Sequence, residues 1–272
     1  MAFSNKKTLQ KFLQPLIEKH VHASNIAKKL RDTKHSKFLF ECADHYKELH
    51  DSFQVENVAK MVKNWNIYLD YVREHNEGKF SAQSKFEPTI LEESVYRMFS
   101  HLENEIIKIG TIKAYSNLYF SPVDFESFQN QSRVKINTKD QDFSIYKKVS
   151  IQVSDASGAV DTFIPVVAME CKTYLDKTML EGSIATAEKI KQGNPYCRFC
   201  IITEFYDVDK KVDVKHSRID QIYVFRKNAK RKSGMSSICH DVVKLLYDDT
   251  VKHLEQKWSD VEKNIKSRGV VL

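Results

Sequence analysis

The spacing of apolar positions changes along the chain, and the change divides it in two. Up to about residue 80 the apolar residues recur every three or four positions. Leu9, Phe12, Leu13, Leu16 and Ile17 form one such series, Phe38, Leu39, Cys42, Tyr46 and Leu49 another, and Val58, Met61, Val62, Trp65, Tyr68, Leu69 and Val72 a third. That is the period of a helix with one buried face. It predicts helices around residues 9–17, 22–31, 36–53 and 55–74, and an entirely helical subdomain over residues 1–84. Residues 77–84, with Gly78 and two serines, break the pattern and read as the linker.

From residue 85 to 272 the periods alternate. Leu91, Val95, Met98, Leu102, Ile106 and Ile109 make one stripe. It predicts a helix with Thr89 as N-cap, Glu92 completing a capping box, and Gly110 closing the end. Residues 112–120 predict a strand, and the polar residues 125–137 predict a loop. Residues 142–153 alternate loosely, residues 163–169 are continuously apolar, and a turn-type cluster at 154–159 separates them, so a β-hairpin is expected. If it is centred near Ser157, paired positions sum to about 314, which sets Asp142 opposite Lys172 and Ser144 opposite Glu170. A helix over 176–192, capped by Asp176 and stopped by Gly193-Asn194-Pro195, follows. Strands at 197–206 and 219–225 and a closing helix at 237–258 complete the order.

The second strand of that hairpin ends in Glu170-Cys171-Lys172. Period-2 geometry puts the carboxylate and the ammonium on one face and Cys171 on the other. Asp142 is the partner that hairpin pairing supplies. Asp161 is nine residues before Glu170, roughly 30 Å along a strand, too far to share an ion with it. Two carboxylates and a lysine at one strand end suit phosphodiester hydrolysis. The carboxylates can hold a hard divalent cation, the cation can acidify a bound water, and the lysine can stabilise developing charge. The plain alternative is a structural salt bridge.

Asp142 followed by Glu170-Cys171-Lys172 resembles the PD-(D/E)xK nuclease signature, with Gln141 where a proline is usual. The longer strings KDQDF, PVVAMECKTYLDKTM and IDQIYVFR are similar to BbvCI-type restriction endonucleases, over roughly residues 85–260. The resemblance implies an α/β (α+β mixed-sheet) fold with a restriction-endonuclease-like αβββαβ core. It implies a type II restriction endonuclease subunit that cuts one strand of double-stranded DNA with Mg2+, paired with a copy of itself or with a related subunit. Asp142, Glu170 and the Cys171 carbonyl would ligate the metal, and Lys172 would assist the attacking water. In such nucleases the preceding helix sometimes adds an acid, which makes Glu92 and Glu93 candidates; otherwise they are first-turn acids that complement the helix dipole. Two other readings stay open: a repair or recombination nuclease of the same fold, and a DNA-binding partner that does not cut.

Charge adds to this picture. The net charge is +7 and the isoelectric point about 8.9, which permits a polyanionic partner. Arg226, Lys227, Lys230, Arg231 and Lys232 form the densest basic run and are the candidates for phosphate-backbone contact; the alternative is a solvated loop. Residues 1–84 hold 14 Lys/Arg against 10 Asp/Glu, which fits either DNA contact or a packing or dimerisation bundle. The five cysteines are odd in number and scattered, as in a reducing compartment. Cys197 and Cys200 lack a second pair and read as structural thiols. The histidines make no metal-ligand set. There is no signal-type apolar segment at the start, and no apolar run near 18 residues. We therefore expect a cytoplasmic protein with no membrane span.

Overall fold

Four helices come first, as the spacing predicts: α1 (Lys6–Leu13), α2 (Val21–Lys29), α3 (Ser36–Asp51) and α4 (Val58–His75). The computed structural model describes residues 3, 5–31, 33–53, 57–81, 84–130, 133–152, 159–227 and 236–271. After α5 (Pro88–Phe99) come β1 (Lys108–Phe120), α6 (Phe125–Asn130), β2 (Val134–Gln152), β3 (Ala159–Leu175), α7 (Lys177–Gly193), β4 (Arg198–Tyr206), β5 (Gln221–Val224), α8 (His240–Glu255) and α9 (Val261–Arg268). The strands form one mixed sheet in the order β1-β2-β3-β4-β5. β1, β2 and β3 are antiparallel neighbours, and β4 and β5 add in parallel. Helix α7 returns the chain between β3 and β4, which is what a parallel pair requires. From α5 onward this is the expected αβββαβ order in a mixed α/β fold.

Several boundaries differ from expectation, each for a local reason. Helix α5 stops at Phe99, followed by a short 3-10 turn. Ile106 and Ile109 keep helical spacing but lie outside it. The Asn104 Oδ1 accepts from the backbone N–H of Ile106 and Ile107, and this turns the chain into β1. Gly110 lies within β1 at φ +135° and does not close a helix. Thr89 is not the N-cap, because Pro88 occupies the first turn and the Thr89 hydroxyl donates back to the carbonyls of Lys85 and Phe86. The expected loop at 125–137 contains α6, and β2 already begins at Val134. The closing helix is shorter than 237–258, and α9 follows it. The turn of the β2–β3 hairpin, residues 153–158, lies outside the described residues.

The sheet has an apolar layer on each face. Val167, Met169 and Cys171 belong to a cluster with Phe99, Phe143 and Leu246, while Ala168 and Leu175 belong to another with Leu180, Ala187 and Ile190 of α7. The first cluster continues through Trp65 to Leu9, so α1–α4 share a core with the sheet. Trp65 meets Phe225 edge to face at 5.6 Å.

Candidate active site

The β2–β3 register brings the predicted residues together, with a correction to the expected pairing. Phe143 lies opposite Met169 and Ser144 opposite Ala168, whereas Ile151 lies opposite Val160. Pairs therefore sum to 312 beside the site and 311 toward the turn, the change falling between Ile145 and Tyr146. Ser144 is not opposite Glu170. The two-residue difference from the expected sum is even, so the same side chains still share a face. On the other edge of β2, Gly110 pairs with Ser144 but Ile112 with Gln141. Thr111 thus faces two β2 residues, a bulge that re-aims Asp142.

Asp142, Glu170 and Lys172 converge. The Lys172 Nζ lies 3.3 Å from Glu170 Oε2 and 3.8 Å from Asp142 Oδ2. The two carboxylate oxygens are therefore no farther apart than those distances laid end to end. The backbone N–H of Cys171 donates to Asp142 Oδ2 at 2.9 Å, so Asp142 sits beside Cys171. Asp161 is far off, paired with Lys148 and Ser150. Burial works against the charge on Lys172, but Glu170 and then Asp142 outweigh it and hold its pKa above the ordinary value. The Cys171 thiol faces the opposite apolar layer, and burial pushes its pKa well up.

One partner escaped the sequence reading. Ser183 of α7 donates its hydroxyl to Glu170 Oε2 at 2.5 Å. It is buried in the stripe that Leu180, Ala187 and Ile190 turn toward the sheet. A polar residue in an apolar stripe was the available signal. Asp176 does cap α7, accepting from the Met179 N–H at 2.8 Å, and so starts the helix at Lys177, shortly after Lys172.

The two acids of α5 separate sharply. Glu93 is buried and accepts from the N–H of His22 at 2.7 Å, of Ala23 at 3.2 Å and from the Tyr46 hydroxyl at 2.5 Å. It serves as the N-terminal cap of α2, where His20 makes no side-chain cap bond. Glu92 turns toward the site. Burial, and after it the Asp142 carboxylate, pushes its pKa up to about 7, against the pull of Lys85 and Lys172. Glu92 and Asp142 line a cleft of about 710 Å³ whose other walls include Lys19, Lys28 and Lys85, and Gly110 and Thr111 from β1.

The basic run divides. Arg226 cannot join a phosphate contact: its side chain is fully buried, its Nε donates to Glu204 Oε2 at 2.8 Å, and its Nη1 donates to the Ser236 carbonyl. Lys227 is exposed. Lys230, Arg231 and Lys232 lie outside the described residues. Cys197 and Cys200 are buried free thiols in opposite apolar layers. Among the described residues no three side chains of His, Cys, Asp or Glu gather at metal-binding spacing, and no helix is long and apolar enough to cross a membrane.

No curated protein matches the chain. Among solved structures it is similar to a native BbvCI A2B2 tetramer at low resolution, with a TM-score of 0.65 and 18% identity over 98% of this chain and 99% of that one. That likeness concerns the fold. The model of the Bpu10I restriction endonuclease family matches residues 83–262, a span that takes in Asp142, Glu170 and Lys172. The chain belongs to the Bpu10I restriction endonuclease family.

Proposed function

We propose that the chain is one subunit of a type II restriction endonuclease. It hydrolyses a phosphodiester bond at a specific sequence in double-stranded DNA, with Mg2+, and each subunit cuts one strand. The observation that carries this reading is the convergence of Asp142, Glu170 and Lys172 at one strand end. The residues fit the metal. The described contacts of each carboxylate fall on one oxygen, Oδ2 of Asp142 and Oε2 of Glu170, which leaves Oδ1 and Oε1 for an ion. A hard cation with two carboxylates, the Cys171 carbonyl and several waters is the ligand set magnesium accepts. Bound there, it would polarise the phosphoryl oxygen and acidify a water.

The chain's own residues do the rest. Ser183 holds the Glu170 carboxylate in place, and the Cys171 N–H holds that of Asp142. Lys172, kept charged by both acids, orients the attacking water and stabilises charge on the phosphoryl oxygens. The cleft beside Asp142, with Lys19, Lys28 and Lys85 on its walls, suits a DNA backbone. We assign residues 1–84 to a helical subdomain that contacts DNA, and residues 85–272 to the catalytic domain. Cutting both strands needs two such sites, hence a dimer with a copy or a related subunit, acting on DNA in the cytoplasm. The test is digestion of phage DNA by the full chain, with a partner subunit where one is needed. Fixed bands that vanish when EDTA replaces magnesium are expected. Sequence-independent degradation would instead favour a repair or recombination nuclease.

A further inference from the structure

Two non-glycine residues among those described have a positive φ: Arg133, directly before β2, and Lys85, at +52°. An L residue keeps that left-handed conformation where its surroundings hold it there. Lys85 lies between the linker and α5, and it is held from both sides. The Asn25 Nδ2 of α2 donates to the Ser84 carbonyl at 3.2 Å and to the Lys85 carbonyl at 3.1 Å. The Thr89 N–H of α5 donates to the same Lys85 carbonyl at 3.2 Å. The next residue, Phe86, is buried against His22 and Phe80, so the turn sends Phe86 inward while Lys85 stays exposed. Lys85 lines the cleft that holds Glu92 and Asp142, and its charge, with that of Lys172, pulls against the rise in the Glu92 pKa. Lys19 and Lys28 line the same cleft and are exposed too. Among the described residues none of these three lysines forms an ion pair. Of the remaining acids on the cleft, Glu93 is committed to the start of α2, Glu103 lies 4.0 Å from Lys108, and Glu18 is exposed.

We propose that Lys85 binds the phosphate adjoining the bond that is cut, with Lys19 and Lys28 on the backbone beyond it, and that Asn25 is the positioning residue that holds Lys85 in its left-handed turn. The proposal deepens the nuclease reading above and rests on it. Phosphates of one strand follow each other at about 3.4 Å along the duplex axis, so a cation that shares a cleft with Asp142 meets a phosphate next to the reacting one. Glycine would take this φ without strain, and an exposed lysine adds no core packing in return. What Lys85 contributes is an unpaired charge at the cleft, complementary to a polyanion. Because Asn25 belongs to α2, the helical subdomain then builds one wall of the active cleft and fixes a substrate contact within it.

The test uses the full chain, with its partner subunit where cutting requires one. Nicking of plasmid DNA with magnesium gives kcat/KM, and affinity for a fragment that the wild type cuts is measured against salt in a Lys172→Ala background. Lys85→Gly relieves the backbone, so its unfolding midpoint should equal or exceed that of wild type. Its kcat/KM should nevertheless fall about tenfold or more, and the salt slope of binding should shrink by about one. Lys85→Gln should show the same two losses without the change of backbone, and Lys85→Arg should restore most of the cutting. Asn25→Ala should slow the otherwise wild-type chain but cost less than about twofold more in a Lys85→Gly background, where no charge is left to place. Lys85→Gly and Lys85→Gln variants that cut at the wild-type rate with an unchanged salt slope overturn the assignment and leave the nuclease reading standing. Equal losses from Asn25→Ala in both backgrounds overturn its positioning role. A wild-type chain without magnesium-dependent cutting overturns both readings.

Discussion

At the scale of single residues, the candidate site is a balance between two or three acids and one base. Asp142 and Glu170 share Lys172, while for Glu92 burial and the Asp142 carboxylate outweigh the pull of Lys85 and Lys172, and its pKa rises to about 7. A carboxyl whose folded pKa lies above its unfolded value favours folding most below the unfolded pKa, and loses that advantage as pH rises through the folded one. For Glu92 the window runs from about 4.5 to about 7. Glu92→Gln should therefore stabilise the metal-free protein at pH 8 by about 1–2 kcal/mol, allowing for partial solvent screening, and have little effect at pH 4.5. Thermal unfolding at the two pH values reads this directly, and an equal effect at both would contradict it. The Glu170–Lys172 pairing was legible because residues two apart on a strand must share a face. Ser183 was not, because its role depends on how α7 docks. Arg226 was misread because a run of cations says nothing about which member follows a buried strand inward.

At the scale of elements, alternation located the central hairpin but gave its register only to within two residues. A one-residue shift between Ile145 and Tyr146 and a second break beside Thr111 depend on pairing geometry rather than on residue type. The end of α5 was hidden because Ile106 and Ile109 continue the helical spacing by coincidence, and the Asn104 side chain ends the run. Gly193, expected only as a stop, turns out to be a contact. A Cβ there would meet the carbonyl oxygens of Tyr115 and Ser116 at 2.8 Å, so only glycine lets the end of α7 lie against β1. Backbone cannot yield as a side-chain tip can. Gly193→Ala should cost about 1–3 kcal/mol, measured by denaturant unfolding. It should also reduce cleavage, because α7 carries Ser183. An unfolding midpoint equal to wild type would show that the contact is not as close as described.

At the scale of the molecule, the helical region and the sheet are joined by a buried charge network. Arg73 of α4 reaches Glu87 at 2.5 Å and Glu204 of β4 at 2.8 Å, and Glu204 also receives Arg226 at 2.8 Å. Removing the acid takes the carboxylate from the buried Arg226 guanidinium and leaves the half-buried Arg73 with Glu87. Glu204→Ala should destabilise the protein by about 3–5 kcal/mol, and Glu204→Gln by less because the amide keeps hydrogen-bond acceptance. Equilibrium unfolding distinguishes them, and a neutral Glu204→Ala would mean that the network is not closed in solution. This link joins residues about 130 positions apart, and spacing along the chain could not reveal it. The division at residue 84 rests on a change of period, whereas the apolar cluster itself runs unbroken from Leu9 to Leu246.

The most direct test of the central claim is magnesium-dependent nicking of plasmid DNA by wild type, Glu170→Ala and Lys172→Ala, each checked for an unchanged unfolding midpoint. If these side chains form the catalytic centre, both variants should lose about 100-fold or more of the wild-type rate. Full activity in either variant would contradict the assignment of Asp142, Glu170 and Lys172 as the site of hydrolysis.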